Sequence, residues 1–206
     1  MCGLLGFSGK VDIYELIHQI RRRGPDALGF AWWREDENEW DLSHYLTDSW
    51  PERKVRSWVD PAIRWGVAHS RLATSGNGGI KDAQPLQVQD MVFAHNGTVY
   101  AHERLAETHN LPLATGNDSE ALAQLFYFYR DPEEVRQILL AHQGQTPHAW
   151  IAATGRKMWL ASWGQPLWVM EGHHGKAAAS WRVPGARLMR SGEVLEWESP
   201  YGGATQ

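Results

Sequence analysis

The separation of two hydrophobic periods into different blocks constrains this chain most. AWIAATGRKMWLASW (149–163) and ARLMRSGEVLEW (186–197) each read as two alternating strands joined by a Gly-containing turn. MVFAHNG (91–97) reads as a short apolar strand stopped by a turn signal. Helical periodicity lies elsewhere. In VDIYELIHQIRRRGP, Asp12 and Glu15 have capping-box spacing, Ile13, Leu16, Ile17 and Ile20 form one apolar stripe, and Gly24-Pro25 ends it. A second helix follows Asn117, with Glu120 three residues on and Leu122, Leu125 and Phe126 on one face. A third is capped by Asp131, with Pro132 at its first position and Glu134 completing the box. Strands and helices in blocks predict an α+β fold rather than a regular βαβ alternation. Residues Arg34 to Pro61 are charged and irregular and read as loop.

At 206 residues the chain is long enough to bury one core and short for two, so a single domain over 1–206 is expected. A net charge of −4 with both signs scattered argues against a nucleic-acid footprint, and IRRRG (20–24) is the densest basic run. Nothing approaches the roughly 18 apolar residues of a membrane span, and MCGLLGF lacks the charged flank of a signal peptide, so the expected compartment is the cytoplasm. There the sequons at Asn96 and Asn117 meet no glycosylation machinery.

The only cysteine is Cys2. One Cys forms no internal disulfide, and a buried apolar role is the ordinary reading of such a residue. Removal of Met1, common before a small residue, would change its chemistry. A terminal α-amine, with an ordinary pKa of about 7.7–8.0, is placed to take the thiol proton of its own residue, so that nucleophile and base belong together.

Three further stretches carry chemistry. His95-Asn96-Gly97 ends an apolar strand, and such a turn either closes a hairpin or aims a side-chain amide and a backbone N–H into one small space, as an oxyanion hole requires. HSRLATSGNGGIKDAQPL (69–86) joins Arg71 to a Gly-rich segment, as a loop that clamps a carboxylate and closes over it would. GNDSE (116–120) sets Asp118 at a helix start, to cap it or to hold an ammonium group. An α-amino acid needs both a carboxylate partner and an ammonium partner.

Taken in order, MCGLLGFSG, RRGPDALG, HSRLAT, AQPL, HNGTVY and NDSE resemble the class II glutamine amidotransferases. These are the N-terminal nucleophile (Ntn) glutaminase domains of asparagine synthetase, amidophosphoribosyltransferase and glucosamine-6-phosphate synthase. The likeness continues weakly through GQPLWVMEG, AAASW and SGEVLEW. It implies a four-layer αββα sandwich of two antiparallel sheets flanked by helices. It also implies that Cys2 is the nucleophile and its α-amine the base, that Asn96 and Gly97 stabilise the oxyanion, and that Arg71, Thr74 and Asp118 bind glutamine. Residues 73–84 match a mobile glutamine loop with hinges at Gly76, Gly78 and Gly79, and Arg23 and Asp26 match a site-shaping motif. The implied reaction converts glutamine to glutamate and ammonia through a γ-glutamyl thioester, with no cofactor and no metal. His173-His174, and His142 with His148, have no strong zinc-ligand spacing.

The chain also departs from its relatives. Ser75 follows Thr74 where the sugar-aminating synthase has His, Leu72 is closer to the asparagine synthetase version, and Thr98 stands where asparagine synthetases carry Glu. With no acceptor domain expected, the ammonia would go to a separate synthetase subunit. An alternative is a stand-alone γ-glutamyl amide hydrolase, which GFAWW after GPDAL also resembles. A second is a non-catalytic binding module, suggested by 12 Trp. Trp32, Trp33, Trp150, Trp159, Trp163 and Trp168 read mostly as core, and some of these, or Trp181 and Trp197, are candidates for a surface that meets a synthetase.

Overall fold

The computed structural model describes residues 2–46, 64–72 and 80–201. Strands β1 (Gly3–Gly9), β2 (Ala27–Arg34), β3 (Glu39–Leu46) and β4 (Trp65–Arg71) come first, with helix α1 (Ile13–Arg21) between β1 and β2. Next are β5 (Leu86–Val88), β6 (Met91–Asn96) and three helices: α2 (His102–His109), α3 (Asp118–Tyr129) and α4 (Pro132–Gln143). The chain closes with β7 (His148–Ala153), β8 (Lys157–Trp163), β9 (Trp168–Glu171), β10 (Gly175–Ala179), β11 (Arg187–Leu188) and β12 (Glu193–Glu198).

Every pairing between these strands is antiparallel. One sheet has the order β11-β9-β10-β1-β4-β2-β3 and the other β12-β8-β7-β6-β5. Because side chains alternate across a strand, each sheet has two apolar faces to cover. Leu4, Val67 and Trp65 of the first sheet meet Val92, Ala94, Ile151 and Leu160 of the second between the sheets. Leu5, Phe7, Leu28 and Ala68 turn the other way onto the Ile13, Leu16, Ile17 and Ile20 stripe of α1. Met91, Phe93 and Trp150 turn outward onto Leu105, Leu122, Leu125, Phe126 and Val135 of the other helices. The result is the expected four-layer αββα sandwich.

The predicted starts of α1, α3 and α4 agree with the structure. Asp12 accepts from the Glu15 N–H at 3.2 Å, Asn117 from Ser119 N–H at 2.9 Å, and Asp131 from Glu133 N–H at 2.8 Å. Glu120 does not complete a capping box. Its carboxylate reaches back to the Ala114 and Thr115 N–H groups at 2.8 and 2.7 Å, pinning the loop before α3.

Three readings are corrected. Within Arg34–Pro61, Arg34 ends β2 and Glu39–Leu46 forms β3, paired with β2 from Arg34↔Glu39 to Ala27↔Leu46. As an edge strand with one neighbour, β3 needs no clean apolar face, so its polar sequence EWDLSHYL hid it. The remainder of that segment, 47–61, lies outside the described residues. The ARLMRSGEVLEW stretch is not a hairpin: β11 pairs with β9 in one sheet and β12 with β8 in the other, so its turn carries the chain between sheets. Trp181 and Trp197 are buried, with indole N–H groups donating to Gln19 at 2.6 Å and Glu171 at 3.0 Å, and form no exposed face.

Candidate active site

Strand parity delivers the site. With Val92 and Ala94 between the sheets and Met91 and Phe93 toward the helices, the next residues of β6 divide the same way. His95 points to the helix layer and Asn96 toward the facing sheet. On β4, Val67 lies between the sheets and Ala68 against α1, so His69 and Arg71 follow the first and Ser70 the second. Ser70 accordingly donates to the Ile20 carbonyl at the end of α1 at 2.7 Å and accepts from Gly3 N–H at 3.0 Å. That clamp fixes the start of β1, where Cys2 stands.

Cys2 is half-buried. Its Sγ accepts from Leu72 N–H at 3.3 Å and lies 3.6 Å from the Leu72 carbonyl. Its carbonyl accepts from Asn96 Nδ2 at 3.2 Å and from the Ser180 hydroxyl at 3.4 Å. Ser180 in turn accepts from Leu4 N–H at 3.0 Å, so AAASW contributes the hydroxyl that seats the Cys2 peptide.

A cavity of about 280 Å³ opens at this point, and Cys2, Arg71, Asn96, Gly97 and Asp118 all line it. Arg71 lies 3.7 Å from the Asp82 carboxylate, while the Asp82 carbonyl accepts from Asn117 Nδ2 at 3.2 Å. Asp118 is not the cap of α3, a task that falls to Asn117. Its Oδ2 instead accepts from Val99 N–H at 2.7 Å, which orients the carboxylate at the cavity wall. Arg23 also lines the cavity, and Asp26 N–H donates to the Arg71 carbonyl at 3.1 Å. Gly24 between them packs so closely on β4 that a Cβ would stand 2.6 Å from backbone atoms of Ser70 and Arg71. The RRGPD stretch therefore shapes the floor under Arg71. Thr74, Gly76, Gly78 and Gly79 lie outside the described residues, as does most of the 73–84 loop.

Three histidines surround these groups, and all are buried. Burial pushes His69 and His148 down to about 4 and His95 well below its ordinary value; Arg71 lowers His69 further, and His148 lowers His95. All three are neutral at pH 7. Since Asn96 spends its NH₂ on Cys2, its Oδ1 is the acceptor for His69 Nε2–H at 3.2 Å, which fixes both the amide orientation and the His69 tautomer.

Several neighbours of the site were visible only as parts of motifs. Gln84 of AQPL accepts from His95 N–H at 2.7 Å and donates to Ser119 at 3.1 Å, and Gln165 and Pro166 of GQPL line the cavity. His148 and His142 do not converge: the His148 ring faces His95 at 2.9 Å while His142 faces the Tyr100 carbonyl at 2.9 Å. No spacing rule joins His95 to His148; adjacent strands do.

No protein-family model matches the chain. Glutamine–fructose-6-phosphate aminotransferase (isomerizing) from Bacillus licheniformis is 28% identical over 159 residues, covering 70% of this chain and 26% of the relative. The protein of that name from Yersinia pseudotuberculosis is 30% identical over 141 residues, covering 62% and 22%. The chain thus spans about a quarter of the length of these curated relatives. Among solved structures, the glutamine phosphoribosylpyrophosphate amidotransferase of Bacillus subtilis superposes with a TM-score of 0.70 at 20% identity, over 98% of this chain and half of that one. A glutamine aminotransferase class-II domain protein from Silicibacter pomeroyi gives 0.65 at 16%, over 95% and 94%. The chain is a homologue of the class II Ntn-type glutaminase domains and has their fold.

Proposed function

We propose that this class II glutamine amidotransferase homologue hydrolyses glutamine to glutamate and ammonia through a γ-glutamyl thioester on Cys2. The observation that carries the reading is convergence: a thiol, a side-chain amide, a turn glycine, a cation and an anion meet in one cavity of about 280 Å³. That is the small end for ligand cavities and suits an amino acid.

With Met1 removed, the Cys2 α-amine takes the thiol proton and Sγ attacks the glutamine side-chain amide. Asn96 Nδ2 and Gly97 N–H stabilise the tetrahedral oxyanion. The protonated amine passes its proton to the departing nitrogen, which leaves as ammonia. Water then attacks the thioester, gives a proton to the amine, and releases glutamate and the thiol. Arg71 holds the substrate α-carboxylate in exchange for its long contact to Asp82, Asp118 holds the α-ammonium, and Thr74 is assigned to glutamine binding by the family likeness alone. The chain acts as a single domain over 1–206 in the cytoplasm, where a thiol nucleophile stays reduced, and passes ammonia to a separate synthetase subunit.

Glutamate release measured on glutamine and on γ-glutamyl p-nitroanilide tests the reading. Turnover of glutamine in preference to the anilide supports it. Preference for the anilide would replace it with the γ-glutamyl amide hydrolase, and turnover of neither by a Cys-started protein would point to a non-catalytic module.

A further inference from the structure

Gly97 rests on two histidine rings. Its φ of +150° is rare for residues with a side chain, and a Cβ there would stand 2.5 Å from His95 Nε2, 2.7 Å from His148 Nδ1 and 2.8 Å from the Pro147 carbonyl. The backbone at this turn therefore lies directly over the 2.9 Å hydrogen bond that joins the rings. In the β6–β7 register Asn96 is opposite Ala149, so the chain step beyond sets His148 level with Gly97.

The proton arrangement of this pair follows from its surroundings. Gln143 Oε1 accepts from Tyr100 N–H at 2.7 Å, which leaves Nε2 as the donor facing Thr98, Thr146 and His148. A donor 3.0 Å from His148 Nε2, with the Thr146 hydroxyl 2.7 Å away, makes that ring nitrogen an acceptor. The His148 proton then sits on Nδ1 and is donated to His95 Nε2. His95 in turn carries its proton on Nδ1 and donates to Ser119 Oγ at 3.0 Å, beside Asp118. A one-way chain of donors thus runs from the end of α4 through both rings to the start of α3. A charge on either ring would set two donors face to face, in agreement with the burial that keeps both neutral.

We propose that His148 is a positioning residue for the oxyanion site: by donating to His95 it holds the two-ring platform on which the Gly97 peptide lies, and so aims the Gly97 N–H. This rests on the glutaminase reading for its catalytic consequence, though not for its geometry. His148 does not itself line the active-site cavity; it borders a separate one of about 290 Å³ together with Thr146, Pro147, Trp163 and Gly164. That cavity supplies the test, because it leads from outside to the His148 ring.

The experiment removes the ring and returns it as free imidazole. In His148→Ala, kcat for glutamine falls about 10–100-fold, as expected when an oxyanion donor is displaced rather than deleted, while KM changes less than about 2-fold. Imidazole added to the variant raises kcat and leaves the wild type unaffected. His148→Asn, whose amide reaches the Nδ1 position, retains most of the rate. Independently of turnover, the Gly97 amide resonance moves in His148→Ala and moves back with imidazole. An unchanged kcat in His148→Ala, or a Gly97 resonance that does not move, overturns the proposal. A wild type inactive on glutamine whose Gly97 resonance still responds would overturn the glutaminase reading alone. Thermal unfolding of each variant identifies any that fail to fold, in which case His148→Asn carries the comparison.

Discussion

The Asn96 side chain donates to the carbonyl oxygen of Cys2 at 3.2 Å while accepting from His69 Nε2 at 3.2 Å. The proposed oxyanion donor is therefore held from both ends, one by Cys2 and one by a neutral ring. Pre-orientation of this kind is where most of the benefit of such a donor lies, because nothing has to reorganise as charge develops. Asn96→Ala lowers kcat for glutamine by about 10²–10³-fold. Asn96→Asp, of equal size, is no better, because its carboxylate brings a negative charge to the place where one must form. Steady-state kinetics on both variants check this.

Gly97→Ala is the complementary case. Its methyl group would stand within 2.8 Å of both ring nitrogens and the Pro147 carbonyl, so the turn must shift and the N–H with it. The expected outcome is a fall in kcat of about 10²–10³-fold together with a loss of about 1–3 kcal/mol of stability, read from urea midpoints.

In the proposed reaction Arg71 and Asp118 serve binding rather than chemistry. Arg71→Ala and Asp118→Asn each raise KM for glutamine by about 10–100-fold, the value of one charge-assisted hydrogen bond, with a smaller effect on kcat. An Arg71 variant whose KM is unchanged while kcat collapses would reassign the residue.

The three neutral histidines make folding stability fall in mild acid. His69 has its folded value at about 4 against 6.5 for an unperturbed ring, so between these pH values the unfolded chain binds the proton and the folded one does not. Stability is full above about pH 6.5 and is lost as pH drops toward 4, on the order of 3 kcal/mol for His69. His148, also at about 4, adds a loss over the same range. Urea midpoints between pH 7 and 4.5 show this, and His69→Gln flattens the slope by up to one proton.

The layers were legible because their periods differ. The apolar stripe of α1, the caps of α3 and α4 and the β7–β8 hairpin follow from local spacing alone. The edge strand β3 has only one neighbour and little apolar patterning, while α2 offers just Leu105 and Ala106 to the core, so neither stood out. The turn before β12 looked like a hairpin because a sequence shows alternation and not which sheet receives each strand. The cavity residues Cys2, Asn96, Gly97, Arg71 and Asp118 lay in quotable motifs. His148 did not, since its relation to Gly97 exists only once β6 and β7 are side by side.

The proposed mechanism makes activity depend on a free α-amine at Cys2. Protein that keeps Met1 releases no glutamate, and aminopeptidase treatment that exposes Cys2 starts the reaction. N-terminal mass determined on each sample before and after treatment checks the link.

The central claim is the covalent step on Cys2. The most direct measurement is the mass of the N-terminal peptide after acid quench during turnover of glutamine, with Cys2→Ala alongside. The account predicts an unextended Cys2 peptide carrying one γ-glutamyl group, and neither adduct nor glutamate in the variant. Glutamate release that persists in Cys2→Ala, or an adduct on another residue, would contradict it.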